Sequence, residues 1–464
     1  MDREESFKEN LSYDLGKTGR GEVSLKEKLA YGLGDAGCNF VWTVVASFLT
    51  LYYTDNVGVS AAVIGTIMLL TRLLDGLSDI AMGIIIDRTN TRWGKARPWI
   101  LLSAPLMAIG LILLFNVPAN FSETGKIAYI SVTYVLLAVV IYTACNLSYS
   151  TLLSLITPKQ EERTSMSSIR FIFTMVTVLI ISVGTMPLVG KIGWGGMSVL
   201  YGIISMLFLL ITFSGTKERF AVEETEVQNK LSVRESLKYL FKNKYFIYTA
   251  VLFVLNYASS GAAMGIAIYY AKDVLGNIGI FGTLTMAGLF PMILGLFLFP
   301  KFASRFGKWK CFVVGYLLQA IGYLMIFLMP TNLTVVIIGL VIKGIGAVPH
   351  TAGMFALVAD VVDYGEWKHG VRIDGLTYSA TSFGMKFGTG IGSAVVGWGL
   401  AFGKYDAAAA VQSESALEVI KALYTYIPLA MIAIGLIVLA MSNLDKIYPT
   451  IMKDLEERRN NQTM

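Results

Sequence analysis

The residues best able to do chemistry in this 464-residue chain are charged, and they lie where charge is costly. Asp75 and Asp79 stand four positions apart in an apolar stretch, with Ser78 beside them and Arg72 just before. On a helix that spacing projects both carboxylates from one face. Two carboxylates and a hydroxyl are hard oxygen donors of the kind a small cation takes. The pair equally suits a proton, because one acid of a close pair has its pKa raised. The structural alternative is an Arg72–Asp75 ion pair that only holds helices together.

Other polar residues share this apolar setting. Lys386 lies in Ser382-Phe-Gly-Met-Lys386-Phe-Gly-Thr-Gly, where an ammonium needs a carboxylate or a water-filled cavity. Its flanking glycines admit a neighbouring helix at close range. Lys343 and His350 share a later stretch, and Pro349-His-Thr-Ala-Gly353 loosens the helix there, as interrupted helices do near a binding site. A lone buried histidine is also an ordinary packing residue, and Lys343 has no evident partner. Asn39, Tyr142, Thr143, Asn146 and Tyr149 mix amides, hydroxyls and aromatic faces, which suits a polar, largely uncharged solute such as a sugar. Helix-to-helix hydrogen bonding accounts for any one of them alone.

The elements that must position these residues are membrane spans. Apolar residues make up 55% of the chain and charged ones 15%, with a mean hydropathy of +0.62, too little charge to cover a soluble protein of this size. The apolar blocks do not alternate as barrel strands would, so they are helices. Twelve are expected, over residues 29–54, 60–86, 98–117, 127–157, 165–190, 196–215, 245–271, 279–303, 309–329, 333–362, 374–402 and 421–442. The fold class is all-α membrane protein in two six-helix bundles, residues 29–215 and 245–442. Around them run an N-terminal tail 1–28, a central linker 216–244 and a C-terminal tail 443–464. Basic residues recur in alternate loops, at Arg88, Arg92, Lys95 and Arg97, then Lys159 and Arg163, then Lys301, Arg305, Lys308 and Lys310. By the positive-inside rule those loops, both tails and the linker are cytoplasmic. Residues Ser232–Lys242 of the linker read as a surface helix, with Val233, Leu237, Leu240 and Phe241 at helical spacing. The two halves share a turn: Arg92-Trp-Gly-Lys95 follows the second span and Arg305-Phe-Gly-Lys308 the eighth.

Cys38, Cys145 and Cys311 show no spacing that implies disulfides or a metal site. Met1–Ser24 is polar, without the apolar core of a signal peptide.

Gly83-Ile-Ile-Ile-Asp87-Arg88 with Arg92, Gly94 and Lys95 resembles the loop signature of major facilitator transporters. Asp360, Asp363, Glu366 and Arg372 sit at the matching end of the second half. With Arg72, Asp87, Arg88 and Arg163 they form a charge network whose ion pairs would latch an inner gate. Tyr31-Gly-Leu-Gly-Asp35, Tyr52-Tyr-Thr-Asp55, Arg72-x-x-Asp75-x-x-x-Asp79, Arg92-Trp-Gly-Lys95-x-Arg97-Pro98-Trp99 and Asp360-x-x-Asp363-Tyr-Gly-Glu366 follow in order, with Lys386 after them. Together they resemble the glycoside–pentoside–hexuronide:cation symporters, the group containing melibiose permease, over Leu25 to Leu444.

This resemblance implies a major facilitator fold and symport of a sugar with Na+, Li+ or H+, with no other cofactor. It carries the cation site onto Asp75, Ser78, Asp79 and Thr143. It places sugar contacts at Asn39, Asn146, Tyr149, Arg170 and Lys386, with His350 added from its own setting. The family's best-known member has Asn at Ser78, Asp at Asn39 and Asn146, and Trp at Ser150. That pattern turns the expectation from an α-galactoside toward a β-xyloside or other pentoside, with a uronide as the alternative. The expected partners are a sugar, a monovalent cation and the bilayer of a bacterial inner membrane, without nucleic acid, and the chain is expected to act as a monomer. Two other readings compete. A lipid transporter of the same fold needs a greasy lateral opening. A membrane prenyltransferase needs a second Asp-rich motif, for which Asp360-x-x-Asp363 is a poor substitute.

Overall fold

The computed structural model describes residues 23–157, 159–219, 233–371, 373–409 and 411–462, and these form helices and their connections, without a strand. Helix α1 (Leu25–Leu51) starts at Ser24, whose hydroxyl accepts from the Glu27 N–H, and runs into a π-helical turn, Tyr52–Val57. Then come α2 (Ala61–Arg88), α3 (Arg97–Leu114) with Pro98 in its first turn, and α4 (Glu123–Val135). A second π segment, Leu136–Ile141, leads into α5 (Tyr142–Ile156), and α6 spans Gln160–Gly215. After the linker come α7 (Val233–Lys242) and α8 (Lys244–Tyr269), the latter capped by the Asn243 side chain and extended by a π turn, Tyr270–Val274. Helices α9 (Phe281–Phe306), α10 (Lys308–Leu328), α11 (Leu333–His369) and α12 (Asp374–Phe402) follow. The chain closes with α13 (Glu414–Lys421), a π turn Ala422–Tyr426, α14 (Ile427–Met441) and α15 (Leu444–Gln462).

Among the described residues, nine helices are long and apolar enough to cross a membrane. One of them, α6, has 56 residues and would run about 84 Å at the usual helical rise, far beyond a bilayer. It is broken at Gly193, whose φ of +72° and ψ of 172° are not helical. Its two limbs correspond to the two spans expected over 165–190 and 196–215. Two further helices, α2 and α12, are 28 and 29 residues long and carry Arg72, Asp75 and Asp79 in one case and Lys386 in the other.

The chain divides into two compact units. The first is Met1–Tyr52 with Leu74–Glu226, and the second is Tyr53–Leu73 with Val227–Met464. In the first, α1 lies along α6, which also packs on α3. In the second, α8 packs on α12, and α11 packs on α9 and α10. The early segment Tyr53–Leu73 groups with the second unit through specific contacts. Gly65 lies against the backbone of Ala394 and Gly397, and the Trp398 indole N–H donates to the Thr66 hydroxyl at 3.0 Å.

The surface helix expected in the linker is present as α7, with Ser232 outside the described residues. Only part of its apolar stripe is buried: Leu240 is 3% exposed and Phe241 63%.

A second internal repeat emerges at the π turns. Tyr52-Tyr-Thr-Asp55-Asn-Val57 and Tyr269-Tyr-Ala-Lys272-Asp-Val274 share Tyr-Tyr-x-x-x-Val, and both turn π-helical at the end of a long apolar helix. The Lys272 ammonium pairs with Asp55 at 2.5 Å, and the Tyr405 hydroxyl lies 3.0 Å from Lys272 and 3.3 Å from Asp55.

Candidate functional site

In the first unit, three of the four expected cation ligands meet. Asp75 is 3% exposed, and its Oδ1 accepts from the Thr143 hydroxyl at 2.9 Å. The Ser78 hydroxyl lies 3.3 Å from that of Thr143 and donates to the Asp75 carbonyl at 2.9 Å. Helix α2 supplies Asp75 and Ser78 one turn apart, and the first turn of α5, just past the π segment, supplies Thr143. Asp79 follows on the same face of α2 and is half-buried. A buried carboxylate with hydroxyls around it is a cluster of oxygen donors without a soft ligand.

A second cluster centres on Asp35, which belongs to the Tyr31-Gly-Leu-Gly-Asp35 motif but has no role assigned from sequence. Asp35 is buried on α1 and pairs with the Arg170 guanidinium of α6 at 3.1 Å. It also accepts from the Thr174 hydroxyl, and the Asn39 amide approaches it at 3.4 Å. The guanidinium lies 5.0 Å over the Tyr149 ring, which stacks on Tyr31 at 4.6 Å. Three of the expected sugar residues, Asn39, Tyr149 and Arg170, are thus gathered around one carboxylate. The amides at Asn39 and Asn146 do not leave this region without acid: Asp35 stands one turn before Asn39 on the same helix. The signal in the sequence is a carboxylate inside an apolar span, which calls for a partner. Asn146 is half-buried on α5, beside Cys145. The thiols of Cys38 and Cys145 approach to 3.7 Å, a contact between α1 and α5 that their sequence spacing does not reveal.

In the second unit, Lys386 is half-buried on α12, and Arg72 lies against Gly390 one turn further along that helix. His350 is 2% exposed, with its ring 3.8 Å from that of Tyr316 and 4.9 Å from that of Phe312. Its Nδ1 is 3.1 Å from the Gln319 amide. The imidazole is thus flanked by α10 side chains, while its buried Nε2 has no hydrogen-bond partner. Lys343, without a partner from sequence, sets its ammonium 4.9 Å over the Tyr323 ring.

The charges at the helix ends pair locally. Lys308 holds Asp360 at 2.6 Å, and the Tyr448 hydroxyl donates to Asp363 at 2.8 Å. Burial and these two carboxylates push the Tyr448 phenol up, so it stays a donor. Arg163 donates to the carbonyls of Thr157 and Ser154 at 2.8 and 3.3 Å. Asp87 and Arg88 are exposed at the end of α2, and Arg372 lies outside the described residues.

Comparison with known proteins bears on this arrangement. Residues 30–446 match the family described as MFS/sugar transport protein. The chain is 33% identical over 436 residues to an isoprimeverose transporter of Lactiplantibacillus pentosus, covering 91% of this chain and 90% of that one. It is 34% identical over 421 residues to a putative glycoside/cation symporter, YagG, of Escherichia coli (strain K12), covering 88% and 90%. Among solved structures, a point mutant of the nucleoside transporter NupG has the same fold, with a TM-score of 0.64 at 14% identity over 89% of this chain and 99% of that one. With this family match over nearly its whole length and its series of apolar helices, the chain is a multi-pass inner-membrane protein that belongs to the MFS/sugar transport protein family, among the glycoside–pentoside–hexuronide:cation symporters.

Proposed function

We propose that the chain is a secondary active transporter that carries a glycoside together with a monovalent cation by alternating access. The carrying observation is the buried Asp75 carboxylate with the Thr143 and Ser78 hydroxyls around it. In an apolar helix such a group needs a cation, a proton or a fixed partner, and a coupling ion supplies the first two. Asp75, Ser78, Asp79 and Thr143 are the proposed cation ligands. Asn39, Asn146, Tyr149 and Arg170 are the proposed sugar contacts in the first unit, with Asp35 holding the guanidinium in place. Lys386 and His350 are the second unit's candidates for sugar contact, the latter through its unpartnered Nε2. The ion pairs at the helix ends, Lys308–Asp360 among them, are proposed to hold one conformation and yield in the other.

The membrane arrangement proposed is twelve spans in two six-helix bundles. The nine apolar helices among the described residues, the break of α6 at Gly193 and the lengths of α2 and α12 support that count. Both termini are proposed to lie in the cytoplasm, a reading the basic loops support, and a reporter fused after Met464 that reads as external would overturn this. A β-xyloside or another pentoside is the proposed substrate, and the relatives named for isoprimeverose and for a glycoside support the glycoside class.

The test is uptake of labelled glycosides, pentosides and uronides into proteoliposomes under separately imposed Na+, Li+ and H+ gradients. One sugar accumulating with one gradient is the expected result. Accumulation of a uronide alone would replace the pentoside assignment, and no movement of any sugar would overturn the carrier reading.

A further inference from the structure

The turn repeated in the two halves, Arg92-Trp-Gly-Lys95 and Arg305-Phe-Gly-Lys308, sets a positive-φ glycine against a carboxylate in both. In the first unit Gly94 has φ +107°, a conformation that suits glycine, and it turns the next amides inward. The N–H groups of Lys95, Ala96 and Arg97 donate to the Glu218 carboxylate at 2.7, 2.9 and 2.8 Å. These are the free amides at the start of α3, and an anion there satisfies them. A Cβ on Gly94 would fall on the same carboxylate.

Glu218 lies just past the end of α6, the last long helix of its unit. Its neighbour is fastened too. Arg219 makes a two-pronged pair with Glu27 of α1 at 3.0 and 2.8 Å, and its backbone N–H donates to the Leu155 carbonyl of α5 at 2.8 Å.

In the second unit Gly307 has φ +86°, and α10 starts at the next residue. The acid here is Asp445, just past the end of α14, again the last long apolar helix of its unit. Its Oδ2 sits 2.8 Å from where a Gly307 Cβ would stand, so the carboxylate lies against the turn. Burial pushes the Asp445 carboxyl up, while Lys308, Lys310 and the Trp309 amide act against it.

We propose that the two turns are a duplicated carboxylate clamp. In each unit the acid following the last long apolar helix, Glu218 or Asp445, fills the turn's backbone nest and fixes the departing chain to the loop before α3 or α10. Each unit then keeps its helix ends in register as it changes conformation. Glu218 and Asp445 are positioning residues and touch neither sugar nor cation. The glycine of the turn is explained by this internal anion, which occupies the space a Cβ would need.

The transport part of the inference rests on the carrier reading, whereas the clamp itself does not. The experiment is hydrogen exchange by mass spectrometry on the full-length protein, following peptides over residues 93–98 and 307–311, together with uptake kinetics. Loss of a charge-assisted bond predicts exchange about tenfold to a hundredfold faster over 93–98 in Glu218→Ala, with 307–311 unchanged. Asp445→Ala is expected to show the reverse pattern. Glu218→Ala should lower the maximal uptake rate while the half-saturating sugar concentration stays within about twofold, since it removes no substrate contact. Glu218→Asp should recover part of both effects. If Glu218→Ala does not reach the membrane, Glu218→Gln is read the same way, with exchange between the two extremes. Unchanged exchange in these variants overturns the clamp. Faster exchange with an unchanged maximal rate overturns its role in transport. A wild-type protein that moves no sugar removes the carrier reading and leaves the exchange result to decide the clamp.

Discussion

Among individual residues, what can be read from the sequence is set by how far away each partner lies along the chain. Asp75, Ser78 and Asp79 share one helix, so their common face follows from spacing alone, while Thr143 follows from resemblance. Arg170 follows the same way, but its partner Asp35 does not, because an ion pair between α1 and α6 leaves no local pattern. The same holds for Lys343 on Tyr323 and Glu218 on the turn after α2. Two substitutions test the site. Asp79→Cys is expected to reduce concentrative uptake to the passive level while sugar binding weakens by less than about tenfold, or about 1.4 kcal/mol. Unchanged uphill uptake would remove Asp79 from the cation site. Asp35→Asn keeps the side chain's shape but leaves the partly buried guanidinium without its counter-charge. Sugar binding measured by calorimetry is expected to weaken about tenfold to a hundredfold, or about 1–3 kcal/mol. Binding equal to wild type would mean that Arg170 needs no such support.

At the scale of elements, hydropathy locates the helices but not their interruptions. The π segment Leu136–Ile141 sits inside a stretch that reads as uniformly apolar, yet it sets the start of α5 and therefore the aim of Thr143. The limbs of α6, expected as two spans, meet without a loop, because one glycine makes the turn. Where helices touch most closely the cause is again small side chains. Gly322 of α10 and Gly339 of α11 face each other so that a Cβ on either would meet the other's carbonyl oxygen. Gly322→Ala is expected to destabilise the protein by about 1–3 kcal/mol through overpacking. Thermal unfolding in detergent should show a lower midpoint than wild type, while Gly288→Ala, with open space at its Cβ inside α9, should unfold no lower than wild type.

For the whole molecule, composition alone determines the class, since 15% charge cannot solvate a chain of this length. The division of the chain is less legible. A boundary in the hydrophilic linker follows from composition, but the grouping of Tyr53–Leu73 with the second unit does not. That grouping depends on the Asp55–Lys272 pair, the Thr66–Trp398 hydrogen bond and the seat of Gly65, all long-range contacts. Neither substrate nor coupling ion can be read at this scale, because the fold is common to carriers as different in name as NupG.

The Tyr-Tyr-x-x-x-Val segments at the two π turns differ where it matters electrostatically. Asp55 and Lys272 occupy the same place in the repeat, carry opposite charge and bind each other. Two identical halves would have placed like charges there, and like charges in contact repel. The attraction therefore depends on the two segments differing at this one place. Exchanging the residues, Asp55→Lys with Lys272→Asp, is expected to retain uptake that either change alone reduces at least about fivefold, the cost of about 1 kcal/mol. If the exchanged protein fails as badly as the single variants, the surroundings have diverged as well as the charges. Retained uptake would show that the opposition of charge, and not which segment carries which sign, is what this place in the molecule requires.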